Sequence, residues 1–184
     1  LLMNRVDHVT VRDNNFSFNS GLGIGMYRSS NNTIVRNVID FNIRGYSHGF
    51  YRRGQDSAGI LIYEQSNNNV VAFNTAENII GGSDGGGVCV QGSSPTIRFN
   101  DLYGNLPNNV GCQRTDGHYV GLYGNVSVDP GFVSRAPSTR NLHLRPTSAL
   151  IDMGDDAEAP ARDLDGLPRV LDGNNDQVPR IDLG

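Results

Sequence analysis

The residues best suited to chemistry are crowded into one stretch, RGYSHGFYRRGQDSAG (Arg44–Gly59). It contains three Arg, two Tyr, one His and one Asp, whereas the flanking chain consists of short apolar runs broken by Asn and Gly. Arg side chains hold carboxylates and phosphates through paired hydrogen bonds. His and Tyr side chains can take up or release a proton near neutral or alkaline pH. The stretch is therefore either a catalytic or binding insertion, or only a long loop pinned by Arg–Asp pairs.

An internal repeat predicts the strands that position this stretch. Three segments align, namely GIGMYRSSNNTIVRN (Gly23–Asn37), GILIYEQSNNNVVAFN (Gly59–Asn74) and GVCVQGSSPTIRFN (Gly87–Asn100). Each has a strand of alternating apolar residues, a Ser/Asn turn, a second strand and a closing Asn. Short strands at a period near 23–26 residues, with no amphipathic helix, are typical of a solenoid. We predict an all-β fold, a right-handed parallel β-helix with parallel strands near 24–27, 60–63 and 88–91.

The spacing of the repeat shows where the reactive stretch enters. The closing Asn residues are 23, 37 and 26 residues apart, so one coil carries roughly a dozen extra residues, which are the reactive stretch. Insertions in a solenoid project as side loops, where function concentrates. We expect the loop to leave after Asn42, to return at Gly59, and to pack down through Phe50 and Tyr51. The closing Asn should bond the coils above and below it.

The alignment also predicts what lies beside the loop. Aligned residues of stacked coils form ladders, with Ile24, Ile60 and Val88 pointing inward. Tyr27 and Tyr63 stack on the outer face, either as a platform for sugar rings or as an ordinary cross-strand aromatic pair. Arg28 and Glu64 also align. Our first interpretation is that they form a surface ion pair. The second is that Glu64 supplies a catalytic or binding carboxylate.

Composition and charge exclude several classes of protein. Net charge is −4, with 12 Arg against 10 acids in residues 1–151 and 3 Arg against 9 acids in residues 152–184. Neither part is basic enough for a nucleic-acid surface, and no apolar run is long enough to span a membrane. Cys89 and Cys112 are the two cysteines. Two alternatives remain for them, a disulfide or two separate thiols, and no residues near them have the spacing of a zinc site. No metal site is assigned.

The last third of the chain departs from the repeat. NVSVDPGFVS, NLHLRPTSALIDMGDD and RDLDGLPRVLDGNNDQVPRIDLG resemble the C-terminal region of bacterial extracellular β-helix proteins of the choice-of-anchor Q type. The resemblance covers about residues 125–184 and implies a secreted or cell-surface protein without specifying an enzyme. IDLG stops where that family would continue, which suggests a truncated or processed chain. We divide the single domain into coils at 1–128 and an irregular C-terminal capping tail at 129–184.

The fold class suggests a function by resemblance. Parallel β-helices resemble, as a class, pectate lyases, alginate-type lyases and epimerases, and polysaccharide hydrolases. Lyases and epimerases abstract the proton next to a uronate carboxylate, which needs a neutralising cation, a base and, for elimination, an acid. Arginine would neutralise, histidine would be the base, tyrosine the acid, and aspartate would orient them. The candidate catalytic residues are His48, Arg52, Arg53, Tyr51 and Asp56. The candidate substrate-binding residues are Tyr27, Tyr46, Tyr63 and Glu64.

Three alternatives stay open at this point. Hydrolysis would need two opposed carboxylates, for which Asp56, Glu64 and Asp84 are candidates. A non-catalytic surface solenoid that binds glycan or forms a stalk would need none of this chemistry. No cofactor is expected, although DLDG and DGNND in the tail leave calcium open beside turns capped by Asx side chains. The expected partner is a polysaccharide, and neither nucleic acid nor a membrane span is expected.

Overall fold

A computed structural model describes residues 1–42, 58–77, 79, 86–158, 161–163 and 165–183. Short strands stack there as successive coils and form three parallel sheets, A, B and C. Sheet A contains β1 (Leu2–Asn4), β4 (Ile24–Tyr27), β7 (Ile60–Tyr63), β10 (Val88–Gln91) and β13 (Val110–Cys112). Sheet B contains β2 (Thr10–Arg12), β5 (Thr33–Val35), β8 (Val70–Ala72) and β11 (Thr96–Arg98). Sheet C contains β3 (Asn15–Ser17), β6 (Val38–Asp40), β9 (Thr75–Glu77) and β12 (Asp101–Tyr103).

The predicted fold class, an all-β right-handed parallel β-helix, is confirmed. The three predicted strands of sheet A begin and end where the repeat places them. Ile24 pairs with Ile60 and Ile60 pairs with Val88, and all three side chains are fully buried. Because successive side chains of a strand point to opposite faces, every second residue fills the interior of the coil. The described residues contain no α-helix.

A ladder of asparagines holds the coils in register where sheet B turns into sheet C. The backbone N–H of each ladder residue donates to the side-chain Oδ1 of the next, at 3.1, 2.9, 2.9 and 3.0 Å. The ladder residues are Asn14, Asn37, Asn74, Asn100 and Asn125. Each buried side chain also donates to strand carbonyls, so it satisfies backbone groups that the corner would otherwise leave unpaired. The predicted bonding of the closing Asn is confirmed.

The corner before each ladder residue needs a left-handed backbone. Asp13, Arg36, Phe73 and Phe99 have φ between +49° and +58°. A positive φ is uncommon outside Gly and Asn, and here it bends the chain from sheet B into sheet C. Stacking compensates for this conformation, because Phe73 and Phe99 lie with ring centroids 5.4 Å apart and planes 5° from parallel. The apolar corner is in turn covered by the tail.

The tail lies along the side of the coils. It contains the antiparallel pair β14 (Phe132–Ser134) and β15 (Asn141–Leu144). Leu144, Leu150 and Leu183 pack with Ala72 and Phe73 of the coil. The chain also contains the 3₁₀ turns Asp116–His118, Pro137–Thr139 and Asp156–Glu158.

The far end of the coil interior is covered by other residues. Tyr119 and Val120, which precede the tail, pack against the main core cluster. The contacts of the tail thus run along the stack of coils from the first coil to the fourth. The division at residues 128 and 129 and the capping role of the tail stay predictions.

Candidate functional site

All five predicted catalytic residues lie outside the described residues. Described structure stops at Asn42 and resumes at Ala58. The following predicted residues fall in the interval: His48, Arg52, Arg53, Tyr51, Asp56 and Tyr46. Asp84 falls in a second interval of this kind. The roles of these residues, and the course of their loop, stay predictions.

The two predicted tyrosines meet on the outer face of sheet A. Tyr27 and Tyr63 are the last residues of β4 and β7 and pair in register. Their ring centroids are 5.8 Å apart at an interplanar angle of 67°, an edge-to-face arrangement. Both rings are half-buried against an apolar patch that includes Leu61 and Cys89. The pair therefore presents a fixed aromatic surface beside the place where the described chain resumes.

An ion pair extends this surface. Arg28 and Glu64 follow the tyrosines at left-handed corners, with φ of +48° and +52°. Arg28 Nε lies 2.9 Å from Glu64 Oε2, and the two side chains are 56% and 40% exposed. The predicted surface ion pair is confirmed. We call Tyr27, Arg28, Tyr63 and Glu64 the tyrosine strip, a row in which aromatic and charged groups of adjacent coils alternate on one exposed edge.

A disulfide borders the tyrosine strip. Cys89 and Cys112 are bonded, with their Cα atoms 5.3 Å apart, and join β10 to β13. The pairing decides between the two alternatives that the sequence left open. It also excludes both sulfur atoms as free metal ligands, because a metal needs the thiolate. A disulfide persists mainly in oxidising compartments outside the cytoplasm.

A second constellation, which the sequence reasoning missed, lies on the outer face of sheet C. Asp40 and Glu77 pair in register on β6 and β9, and both are fully buried. Arg140 donates to Asp40 at 2.6 Å, and Arg135 donates twice to Glu77 at 3.0 Å. Two arginines of the tail thus neutralise two stacked carboxylates of the coil. We call these four residues the tail clamp.

The repeat contained a signal for the tail clamp. Asp40 and Glu77 each follow their ladder Asn by three residues. Carboxylates at the same position of two coils must stack, and stacked like charges require cations. The arginines could not be assigned from sequence, because Arg135 and Arg140 are 58 and 100 residues away from their partners.

Breaking the tail clamp should cost far more than breaking the surface pair. We expect Glu77→Gln to lower the free energy of unfolding by about 2 kcal/mol, because the partly buried Arg135 then lies beside a neutral amide and keeps the exposed Asp129 as its carboxylate partner. The matched control is Glu64→Gln, which breaks the exposed pair with Arg28 and should cost less than about 1 kcal/mol. Urea unfolding of both variants measures the difference. Equal losses would show that Arg135 does not hold the tail through Glu77.

Asp101 is the third buried carboxylate of sheet C. It lies in register with Thr75, is fully buried, and accepts the backbone N–H of Val128 at 3.1 Å through Oδ1. Its Oδ2 has no hydrogen-bond partner among the described residues. Burial raises the pKa of Asp101 to about 7, helped by the nearby charges of Glu77 and Asp129 and opposed by the Val128 hydrogen bond. The carboxyl group therefore titrates near neutral pH.

The tail contains an acidic group of the kind that a hard cation prefers. One carboxylate oxygen each of Asp152, Asp172 and Asp176 lie within 4.8 Å of one another. All three already accept backbone N–H groups, Asp152 from Asn174 at 3.1 Å, Asp172 from Gln177 at 2.9 Å and Asp176 from Val178 at 2.8 Å. These carboxylates cap turns, and calcium takes six to eight oxygen ligands. Calcium at this group stays an open expectation.

Imidazole and thiolate donors do not come together in the described part of the chain, whereas the thioethers of Met3 and Met26 pair in register on β1 and β4. His118 contacts Thr115, and His143 contacts Asn141 and Asp165. Met3 and Met26 are buried in the core. The acidic tail group is the only cluster of three or more His, Cys, Asp or Glu ligands among the described residues. Imidazole and thiolate sites therefore have no candidate there.

No helix in the described part of the chain is long and apolar enough to cross a membrane.

Comparison with known proteins identifies a family for the coils. Residues 1–121 match the family described as periplasmic copper-binding protein (NosD). The match covers more than half of the 184 residues and includes every strand of the three parallel sheets. No curated protein and no solved structure matches the chain. The chain belongs to the NosD family.

Proposed function

We propose that this protein works outside the cytoplasm and binds an acidic polysaccharide along the tyrosine strip. The observation that carries the proposal is the edge-to-face pair of Tyr27 and Tyr63 beside Arg28 on one exposed edge. Aromatic faces pack against the apolar faces of sugar rings, and a guanidinium can hold a uronate carboxylate through two hydrogen bonds. The family description as periplasmic and the disulfide between Cys89 and Cys112 support the compartment.

The finer proposal is a lyase or epimerase acting on that polysaccharide. Its support is the residue types of the stretch 44–59, whose described residue Ala58 packs in the same apolar cluster as Tyr63. His48 would remove the proton next to the carboxylate, and Arg52 or Arg53 would neutralise the carboxylate. Tyr51 or Tyr46 would protonate the leaving oxygen, with Asp56 orienting the base. The enolate-like charge of the intermediate would be held by the arginines.

A non-catalytic solenoid that binds glycan or acts as a spacer is the second candidate. It is favoured by the pairing of Arg28 with Glu64, which leaves the described edge without the opposed carboxylates that hydrolysis needs. The C-terminal resemblance to choice-of-anchor Q proteins adds support, since it implies a surface location and no activity. Both candidates share the tyrosine strip.

The copper named in the family description does not fit the described residues. Copper selects thiolate, thioether and imidazole ligands. Here the two sulfur atoms of Cys89 and Cys112 are bonded to each other, and the His side chains of the described residues contact no second metal donor of that kind. The paired thioethers of Met3 and Met26 are buried among apolar residues of the core. The acidic group in the tail offers carboxylate oxygens, which suit calcium, magnesium or manganese. Copper therefore has no role in the function that we propose.

Binding through the tyrosine strip can be tested by substitution. Tyr27→Ala and Tyr63→Ala should each weaken binding of oligogalacturonate or oligoalginate about fivefold, because each removes one aromatic contact. The matched control is Tyr123→Ala, which removes a 66% exposed tyrosine elsewhere and should leave affinity unchanged. Isothermal titration gives the affinities. Equal affinity in all three variants and the wild type would contradict the strip as the binding surface.

Catalysis is tested separately from binding. Elimination produces an unsaturated uronate whose ultraviolet absorbance can be followed, and epimerisation exchanges the abstracted proton with solvent. We expect His48→Ala and Arg53→Ala to abolish either signal while the melting temperature changes little. Binding without product formation or exchange in the wild type would favour the non-catalytic candidate.

A further inference from the structure

A cleft separates the tail from the side of the coils. Its volume is about 470 Å³, within the range of sites that enclose a small molecule. Residues of the first three coils form one wall, and β14, β15 and residues 163 and 165–173 form the other. The cleft faces sheet C and the corner that precedes it, whereas the tyrosine strip lies on sheet A. It is therefore a separate place on the molecule.

The walls of the cleft are mainly apolar. Val38 of the coil faces Phe132 and Leu144 of the tail, while Leu167 and Leu171 stand at the margin and are 58% and 54% exposed. Exposed leucines beside a cavity leave apolar area in contact with water, which a bound molecule would remove. An apolar body is thus the part of a ligand that these walls recognise.

One polar group in the wall has no hydrogen-bond partner in the described part of the chain. Thr75 lines the cleft and is 1% exposed, and its Oγ1 makes no hydrogen bond to any described residue. Leaving a buried hydroxyl unsatisfied is unfavourable, so most buried hydroxyls are paired. Its register neighbours are Val38, whose side chain offers no polar atom, and Asp101, whose Oδ2 also has no hydrogen-bond partner among the described residues. A ligand hydroxyl that reached Thr75 would supply the missing hydrogen bond.

The charges around the cleft disfavour an anion. The Arg36 guanidinium already donates two hydrogen bonds to the Asp13 carboxylate, at 2.7 and 2.8 Å. The lining contains four Asp against two Arg, a net charge of −2 with His143 neutral. Like charges repel more strongly where water is excluded. An acidic glycan is therefore poorly suited to this cleft, although it suits the tyrosine strip.

We propose that the cleft between tail and coils binds an uncharged small molecule that has an apolar body and a hydroxyl group. The apolar body lies against Leu144, Leu167 and Leu171, and the hydroxyl group pairs with Thr75. This site is independent of the proposed polysaccharide function, because no residue of the tyrosine strip lines it.

The proposal is tested with three fluorescent probes of one shape, which are 2-naphthol, naphthalene and 2-naphthoate. With the whole chain, 2-naphthol should bind saturably and about fivefold more tightly than naphthalene, the gain of one hydrogen bond to a buried group. The anion 2-naphthoate should bind most weakly. Thr75→Val keeps the shape of the side chain but removes the hydroxyl, and should equalise 2-naphthol and naphthalene.

A second variant locates the binding. Leu171→Ser changes an exposed margin residue, so folding should be unaffected, and all three probes should bind several-fold more weakly. The matched control is Leu122→Ser, which alters a 46% exposed leucine that does not line the cleft. Absence of saturable binding, or equal binding by the Leu171 and Leu122 variants, would overturn the site. A preference for 2-naphthol that survives in Thr75→Val would overturn the role of that hydroxyl.

Discussion

Asn74→Ala is expected to lower the free energy of unfolding by about 5 kcal/mol, the largest loss of any single substitution considered for this protein. The Asn74 side chain is 1% exposed and makes five hydrogen bonds. Its Oδ1 accepts from Asn37, and its Nδ2 donates to the strand carbonyls of Ile34 and Ala72 and to Asn100. Alanine leaves several of these buried groups unsatisfied at once, and each costs about 1–3 kcal/mol.

Asn108→Ala is the matched control for the ladder. Asn108 is exposed, outside the ladder, and its φ is not in the left-handed region. This variant should unfold within about 0.5 kcal/mol of the wild type. Urea unfolding followed by far-ultraviolet circular dichroism gives both values. A loss at Asn74 no larger than that at Asn108 would mean that strand pairing alone holds the coils in register.

Asp101→Asn is expected to change how stability depends on pH. In the folded protein burial raises the pKa of Asp101 to about 7, whereas the unfolded chain has the ordinary value of 3.8. The folded state therefore holds the proton more tightly, and stability falls as pH rises from about 4 to about 7. A full shift corresponds to roughly 4 kcal/mol. The asparagine variant lacks this ionisation, so it should match the wild type at pH 4 and exceed it at pH 8.

The control for the pH prediction is Asp7→Asn. Asp7 lies exposed on the first coil, where its Oδ1 accepts the backbone N–H of Ser30 at 2.7 Å, so its replacement serves as the comparison for the loss of one surface carboxylate. Subtracting the free energy of unfolding of the variant from that of the wild type at each pH isolates the contribution of one carboxyl group from those of the other buried acids of sheet C. A parallel pH profile for Asp101→Asn and the wild type would show that Asp101 is ionised in the folded state at acidic pH.

Much of the fold could be predicted from the sequence, because each coil of a solenoid repeats the same apolar and corner positions. The same apolar alternation at Ile24, Ile60 and Val88 fixes both the strands and the register between them. The ladder Asn were recognisable for the same reason, since a corner with unpaired backbone groups needs an amide at each coil. The disulfide was left open, although Cys89 and Cys112 are 23 residues apart, which is the length of one coil.

The tail and its contacts could not be predicted in the same way. Arg135 reaches Glu77 across 58 residues with no repeated element to set the distance. The side of the coil that the tail covers depends on the left-handed corner that exposes Phe73, and positive φ at an aromatic residue has no reliable sequence signal. Of the candidate site, only the part carried by the repeat was predictable in space. Tyr27 and Tyr63 belong to that part, whereas the roles assigned to His48 and Arg53 rest on residue type.

The most direct test of the proposed function is the structure of this protein bound to a uronate tetrasaccharide. Binding along the tyrosine strip predicts a sugar ring packed on Tyr27 or Tyr63, with a uronate carboxylate within hydrogen-bonding distance of an arginine of the strip or of the stretch 44–59. A tetrasaccharide bound in the cleft beside Leu171, or along sheet C away from both tyrosines, would contradict the account.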